Sequence, residues 1–471
     1  MAEFIGRTHE IETLNRVLES VRAGARRSKP GKCIMLRGRR RLGKSSLVAE
    51  FARRSGVPSV YYTAAGMDPA RELADLTDAV AWSDLPGREH YLEDPPTDWR
   101  YAFRQLADSL PDDTPSVVVL DEVPYLMERV PSFEGILQRA WDRELVNKPV
   151  LLLLIGSDLS MMEALNSYER PFFMRGTEMV LGPLNPAEVG QMLDLAPADA
   201  FDATLVTGGF PLVCAEWEPG ATLWEFLGRS LEDPISALLV SAERVLAAEF
   251  PATAMSAEVM RAIGSGERTF TNIARAAGGI SHVTLNRALD VLVRKGIVTA
   301  SLPIALKPSK DRRYSINDPY LRFWLALVEP HMSEIERRRG DLTLDRIRSS
   351  WTSWRGRAIE PLIRESVARL LPKGPVPEAR YIGGYWNRSN SVEIDMVGAD
   401  KAPVADELLF LGSIKWLDRD AFDRRDLTAL QNHRAALTAD AVPLVAVSRS
   451  GFNCDGLDVG FGPEELLSSW R

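Results

Sequence analysis

The chain has 471 residues, 45% of them hydrophobic, and a formal net charge of −8; at roughly 150 residues per domain this allows about three domains with ordinary cores. The negative balance excludes a bulk-basic nucleic-acid coat but leaves room for a local basic surface. Three scattered cysteines (Cys33, Cys214, Cys454) make neither a disulfide framework nor a zinc cluster, the start MAEFIGRTHE has no apolar signal core, and the longest apolar run, Val150 to Ile155, is far short of a membrane span, so the expectation is a soluble cytoplasmic protein with no membrane partner.

Phe4-Ile5-Gly6-Arg7 opens the chain ahead of an amphipathic stretch through Leu14 and Leu18. Cys33 to Leu36 is apolar, as a buried strand would be. Directly after it comes Gly38 to Ser46, GRRRLGKSS. This fits G-x-x-x-x-G-K-[ST] through Gly38, Gly43, Lys44 and Ser45, with Arg39, Arg40, Arg41 and Leu42 forming the arch and Ser46 following it. Leu47 to Ala52 then has helical character. The glycines let backbone N–H groups point at phosphate oxygens, and the helix N-terminus adds positive potential. Lys44 is placed to reach the β- and γ-phosphates, and Ser45 to ligand Mg²⁺.

Val57 to Tyr62 reads as a second strand. Ala70 to Trp82, with Pro69 at the first helical position, and Trp99 to Leu110 read as helices. Val117 to Leu120 followed by Asp121 and Glu122 is the Walker B arrangement. A buried strand sets Asp121 at its carboxyl end, where it can hold Mg²⁺ through water, and Glu122 can orient or polarise the attacking water. Val150 to Ile155 is another buried strand, and its polar end, Ser157 or Asp158, sits where a γ-phosphate sensor would lie. Asn147-Lys148-Pro149-Val150 lacks the acid of the guanine-reading N-K-x-D, which favours ATP over GTP. Arg175, and less so Arg170, is a candidate for stabilising transition-state charge. Met179 to Leu184 reads as a strand and Asn185 to Leu193 as a capped helix. Gly208-Gly209-Phe210-Pro211 breaks the chain before a helix from Leu212.

On these four segments the chain resembles the AAA+/STAND-type archaeal ATPase family: FIGR, the loop GRRR-x-GK-[ST], the apolar strand ending in Asp-Glu, and the GGxP turn. Ser46 departs from it by standing between Ser45 and Leu47. The resemblance covers about residues 1–230. It implies a P-loop core with a parallel sheet, an adenine contact from Ile5, Gly6 and Arg7, and a helical lid in which Pro211 approaches the nucleotide. Its cofactors would be ATP and Mg²⁺.

Residues 256–316 have the spacing of a winged helix. Ala257 to Ile263 and Asn272 to Ala276 give two helices, and Ser281 caps a third from His282 to Lys295 with Leu285, Leu289 and Leu292 on one face. Val298 to Ser301 and Arg313 to Ile316 would be wing strands, joined by a basic loop through Lys307, Lys310, Arg312 and Arg313. In a DNA-binding reading His282, Thr284, Asn286 and Arg287 face bases and the wing meets phosphates. In the other reading the module is an internal docking element. Residues 331–354 read as a basic helical linker around Arg337, Arg338 and Arg339.

At the C-terminal end a helix from Ala358, strands at Tyr381 to Trp386, Ser391 to Val397, Glu407 to Trp416 and Pro443 to Val447, and a helix from Ala421 to Ala436 resemble the PD-(D/E)xK restriction-endonuclease-like fold over residues 355–471. It is similar to the domain of unknown function that commonly ends this ATPase family. The resemblance implies Glu360 as the helix acid, Asp395 as the metal acid and Lys415 as the lysine. Ser413 stands where an acid is required, and a hard-cation site depends on clustered oxygen charge; the expectation is a nuclease-like module that binds DNA or protein without cutting. The domains expected are therefore 1–230, 231–330, the linker 331–354 and 355–471. The activity expected is slow MgATP hydrolysis coupled to duplex DNA. The alternative is a signalling switch whose distal modules bind proteins, with a second copy of the chain also left open as a partner.

Overall fold

Ser116–Asp121 and Val150–Gly156 are buried at every position. Unbroken apolar runs are what a parallel sheet covered on both faces requires. The computed structural model describes residues 4–25, 29–242, 254–371 and 374–471; residues 243–253 of the expected middle domain lie outside the described residues. The chain forms two compact units, Met1–Pro183 and Leu184–Arg471.

In the first unit the strands are β1 (Lys32–Arg37), β2 (Ser59–Thr63), β3 (Ser116–Asp121), β4 (Val150–Gly156) and β5 (Thr177–Val180). Among the described residues they make one parallel sheet ordered β2-β3-β4-β1-β5. A strand, β4, thus separates β1 from β3, and the carboxyl ends of all three lie along one edge of the sheet. Helices α1 (Thr8–Gly24), α2 (Lys44–Ser55), α3 (Pro69–Ala81), α4 (Trp99–Ser109), α5 (Val123–Arg129), α6 (Phe133–Arg143) and α7 (Leu159–Leu165) connect them. Their starts follow local chemistry. Asp68 accepts from the N–H groups of Ala70 and Arg71 ahead of Pro69, and Asp98 does the same for Arg100 and Tyr101. β5 ends at Val180 rather than at Leu184; Pro183 has no N–H to extend the ladder.

The second unit begins with α8 (Pro186–Leu193), α9 (Pro197–Thr207) and α10 (Leu223–Glu232). The sequence reading groups residues 184–230 with the loop-bearing domain. In the structure Ala200, Phe201 and Leu205 of α9 share a core with Ile363, Val367, Phe410 and Val445 of the C-terminal module. Three helices follow, α11 (Ala254–Gly264), α12 (Phe270–Ala276) and α13 (His282–Arg294), and then an antiparallel hairpin of β6 (Val298–Ser301) and β7 (Arg313–Ile316). The basic helical linker expected over residues 331–354 is largely α14 (Gly340–Ala358), which buries Thr343, Ile347, Trp351 and Arg355. After α15 (Glu360–Leu370) come β8 (Tyr381–Trp386), β9 (Glu393–Ala399), β10 (Leu408–Lys415), α16 (Arg424–Leu437), β11 (Leu444–Ser448), β12 (Val459–Phe461) and α17 (Pro463–Ser468). Among the described residues the strands form a sheet ordered β12-β11-β10-β9-β8, antiparallel from β8 to β10 and parallel from β10 to β12. The last strand and helix are not foreseen from sequence.

One buried charge network ties α9 to this module. The Arg355 guanidinium, 1% exposed, donates to Asp202 at 2.7 Å, to Asp418 at 2.9 Å and to the Trp416 carbonyl at 3.2 Å. Trp416 Nε1 donates to the other Asp202 oxygen at 2.9 Å, and Arg449 reaches Asp202 at 3.1 Å.

Candidate functional site

β1 runs straight into the glycine-rich loop, and Gly43, with φ 82°, turns the chain into α2 at Lys44. Gly38 has to be glycine for a second reason: a Cβ there would lie 2.6 Å from the Leu181 carbonyl oxygen. Lys44 is 5% exposed, and its Nζ donates to the carbonyls of Gly38 at 2.7 Å and Arg39 at 2.9 Å. Burial lowers its pKa below the usual lysine value. Ser45 and Ser46 are exposed on the first turn of α2, and Leu42 is buried beneath the arch of Arg39, Arg40 and Arg41.

At the end of β3, Asp121 is 2% exposed and fully engaged. Its Oδ2 accepts from Ser45 Oγ at 2.6 Å and from the Tyr61 hydroxyl at 2.7 Å, while Oδ1 accepts from the Glu122 N–H at 2.9 Å. The sequence brings Ser45 and Asp121 together as metal ligands, and the fold places them in direct contact. Tyr61 is missed by sequence reasoning. It becomes visible only from strand register, because β2 pairs Thr63 with Asp121 and so sets Tyr61 diagonally behind it on the same face. Burial and the Asp121 charge raise the Tyr61 pKa, keeping the phenol a donor.

Glu122 takes a left-handed backbone, φ 54°, at the strand-to-helix turn. A non-glycine residue held there costs on the order of 1–3 kcal/mol. Its carboxylate accepts from Ser157 Oγ at 2.7 Å and from the Ser157 N–H at 3.3 Å. Of the two sensor candidates, Ser157 therefore meets Glu122, whereas Asp158 caps α7 by accepting from the Met161 N–H at 2.9 Å.

The N-terminal segment reaches the same loop. Arg7 is 3% exposed with φ 61°, next to Gly6 at φ 78°, and its guanidinium donates to the Leu42 carbonyl at 3.0 Å and to Glu10 at 3.2 Å. Ile5 and Gly6 are half-buried beside it. Arg175 is not joined to these groups by any hydrogen bond or ion pair among the described residues. It is held by Asp142 through two contacts of 2.8 Å and donates to the carbonyls of Pro171 and Phe173. Arg170 pairs with Glu134. Pro211 belongs to the second unit, where it starts a single helical turn after Gly208 and Gly209, both at positive φ.

Residues 324–427 match the family model DUF234, described as archaeal and bacterial proteins of unknown function. Over 445 residues the chain is 24% identical to an uncharacterized protein of Methanocaldococcus jannaschii, covering 91% of this chain and 93% of that one. Among solved structures it is similar to a Walker-type ATPase of Pyrococcus abyssi, with 17% identity, a TM-score of 0.47, and coverage of 68% of this chain and 96% of the other. The ORC2 protein of Aeropyrum pernix gives 14% identity and a TM-score of 0.43 over 74% of this chain and 96% of its own. The ORC1 protein of the same organism, solved with DNA, gives 18% and 0.34 over 71% and 95%. The DUF234 match agrees with the domain of unknown function that the sequence places towards the C-terminal end.

The acids and lysine of the expected nuclease-like site lie in one region of the second unit, but each is engaged elsewhere. Asp395 Oδ2 accepts from the Ile414 N–H at 2.7 Å and from Ser413 Oγ at 3.2 Å. Glu360 pairs with Arg364 at 2.6 Å. Lys415 is paired with Asp426 on α16, and no contact joins it to Asp395 or Glu360 among the described residues. Glu393, on the same strand as Asp395, is bound to Arg313 at 2.6 Å. Burial raises the pKa of both Glu360 and Asp395. Among the described residues no group of three or more acids, histidines or cysteines is arranged to hold a metal ion.

On α13, His282, Asn286 and Arg287 are exposed, together with Val283, whereas Thr284 is half-buried and its hydroxyl shares a 2.9 Å hydrogen bond with the capping Ser281. The His282 ring packs edge-on against Phe270. The basic loop between β6 and β7, expected either to meet phosphates or to belong to an internal docking element, is docked on the C-terminal sheet. The N–H of Ile304 donates to the Gly384 carbonyl at 3.0 Å, and Ala305 exchanges backbone bonds with Pro403 and Ala405. The physical reason is apolar: Ile304 is buried in a core with Ile394, Val397 and Leu411. Lys307, Lys310 and Arg312 remain exposed, while Arg313 is taken by Glu393 and lies over the Trp386 ring.

Proposed function

We propose that the first unit binds ATP with Mg²⁺ and hydrolyses it slowly as a switch. The observation that carries this reading is the triple engagement of Asp121, which joins the first turn of the loop helix (Ser45), the neighbouring strand (Tyr61) and the backbone of Glu122. Ser45 and Asp121 offer a hydroxyl and a carboxylate 2.6 Å apart, a hard-oxygen pair that suits Mg²⁺. When bound, that ion would neutralise charge on the β- and γ-phosphates. Lys44 would exchange its loop carbonyls for phosphate oxygens, and the loop N–H groups would cradle the same anion. Glu122 would orient the attacking water and accept its proton. Ser157 positions Glu122. Arg7 anchors the N-terminal segment beside the loop, where Ile5 and Gly6 would meet the adenine.

In this reading residues 231–330 form a winged-helix domain and residues 355–471 a restriction-endonuclease-like module that binds without cutting. The exposed row of His282, Asn286 and Arg287 favours duplex DNA as the effector, and the docked wing favours a protein-facing switch. Turnover of ATP by the purified chain, with and without duplex DNA, tests both parts. Lys44→Ala should abolish nucleotide binding; tight ATP binding by that variant refutes the loop assignment. Several-fold stimulation by DNA, with retention falling steeply as salt rises, supports DNA as effector, and indifference to DNA supports the protein switch.

A further inference from the structure

The second unit contains a half-open cavity of about 370 Å³ between the α11–β7 module, α14 and the C-terminal sheet. That is within the roughly 300–1,000 Å³ of small-molecule sites. Among the described residues Arg268, Arg313, Arg322, Arg357 and Arg364 line it, against Glu360, Glu393 and Asp395. A local excess of cations inside a chain of net charge −8 has to be maintained against the average composition.

The carboxylates do not neutralise the arginines evenly. Glu360 serves Arg364, and Glu393 serves Arg313 with Arg268 further off at 3.6 Å. Asp395 is satisfied by the Ile414 N–H and the Ser413 hydroxyl. Among the described residues Arg322 donates only to the backbone carbonyls of Ile316 and Ala358. Arg357 makes no hydrogen bond or ion pair among the described residues and stays exposed at the cavity. Burial lowers the pKa of Arg322 to about 10, and the nearby Glu360 and Asp318 carboxylates raise it only in part. An anion entering here gains from both Arg322 and Arg357 in a partly desolvated setting. Tyr385 and Trp354 line the same cavity, as does Trp386 with Arg313 over its ring.

We propose that this cavity binds the phosphomonoester end of a nucleotide, with Arg322 and Arg357 on the phosphate and the aromatic wall against the base. The site is separate from the phosphate loop and lies in the unit that carries the DUF234 match. A free mononucleotide and the phosphorylated 5′ end of a DNA strand present the same chemistry.

The test is calorimetric titration of the full chain carrying Lys44→Ala, which silences the first unit. The probes are AMP, a 5′-phosphorylated oligonucleotide and its 5′-hydroxyl counterpart, repeated with Arg357→Glu added. Saturable binding of AMP identifies the free nucleotide as the source. Binding of the 5′-phosphorylated strand alone identifies the strand end. In either case Arg357→Glu, an exposed change whose fold is checked by thermal unfolding, should weaken binding by about tenfold or more, and Arg357→Lys should restore part of it. No binding of any probe, equal binding of the 5′-phosphate and 5′-hydroxyl strands, or binding indifferent to Arg357→Glu overturns the proposal.

Discussion

Ser157 Oγ lies 2.7 Å from Glu122 Oε1, so the end of β4 holds the side chain that follows β3. Glu122 directly follows Asp121 and sits in a left-handed backbone, so its carboxylate needs an outside partner to stay in one rotamer. If Ser157 serves to position it, Ser157→Ala should lower kcat for ATP by about tenfold with KM little changed, while Glu122→Gln should bind ATP yet lose about a hundredfold or more in kcat. A KM effect with unchanged kcat in Ser157→Ala would place Ser157 on the nucleotide instead.

Tyr61→Phe removes one of the two side-chain donors to the buried Asp121 carboxylate. Loss of a hydrogen bond to a charged group costs about 1.5–3 kcal/mol. Chemical denaturation should show that loss without nucleotide, and a smaller loss at saturating MgATP, where a cation compensates Asp121. Equal losses in both conditions would mean that Tyr61 has no connection with the site.

Arg355→Met leaves Asp202 buried with only Arg449 and Trp416 as side-chain partners. Breaking a buried ion pair from one side costs about 3–5 kcal/mol. The unfolding transition of the second unit should move accordingly, and Asp202→Asn combined with Arg355→Met should recover part of the loss. An additive double variant would refute the pairing.

The C-terminal module should not cut DNA. Lys415 is held by Asp426 and Asp395 by Ser413 and the Ile414 N–H. Supercoiled and linear duplexes incubated with the wild-type chain and Mg²⁺ or Mn²⁺ should show no more cleavage than with Asp395→Ala. Metal-dependent cleavage lost in that variant would reinstate the nuclease.

Contiguous signals were legible in the chain. The loop from Gly38 to Ser45, the apolar strand ending in Asp121 and Glu122, and the strand before Ser157 each combine local patterning with a chemistry that permits few alternatives, so five parallel strands and the central site follow from residues close in sequence. The helices at Pro69 and Trp99 follow equally from their capping aspartates. What the sequence could not decide were the contacts made across long separations. Strand register puts Tyr61 on Asp121, the burial of Ile304 docks the wing, and α9 joins the C-terminal core through Asp202 and Arg355. The sequence places Lys415 in a nuclease-like site and Arg313 on a basic wing, yet their partners, Asp426 and Glu393, arrive from other elements. A side chain's charge is written in the sequence; whether that charge is neutralised, buried or left facing a cavity is settled only when the tertiary fold brings its neighbours within hydrogen-bond distance.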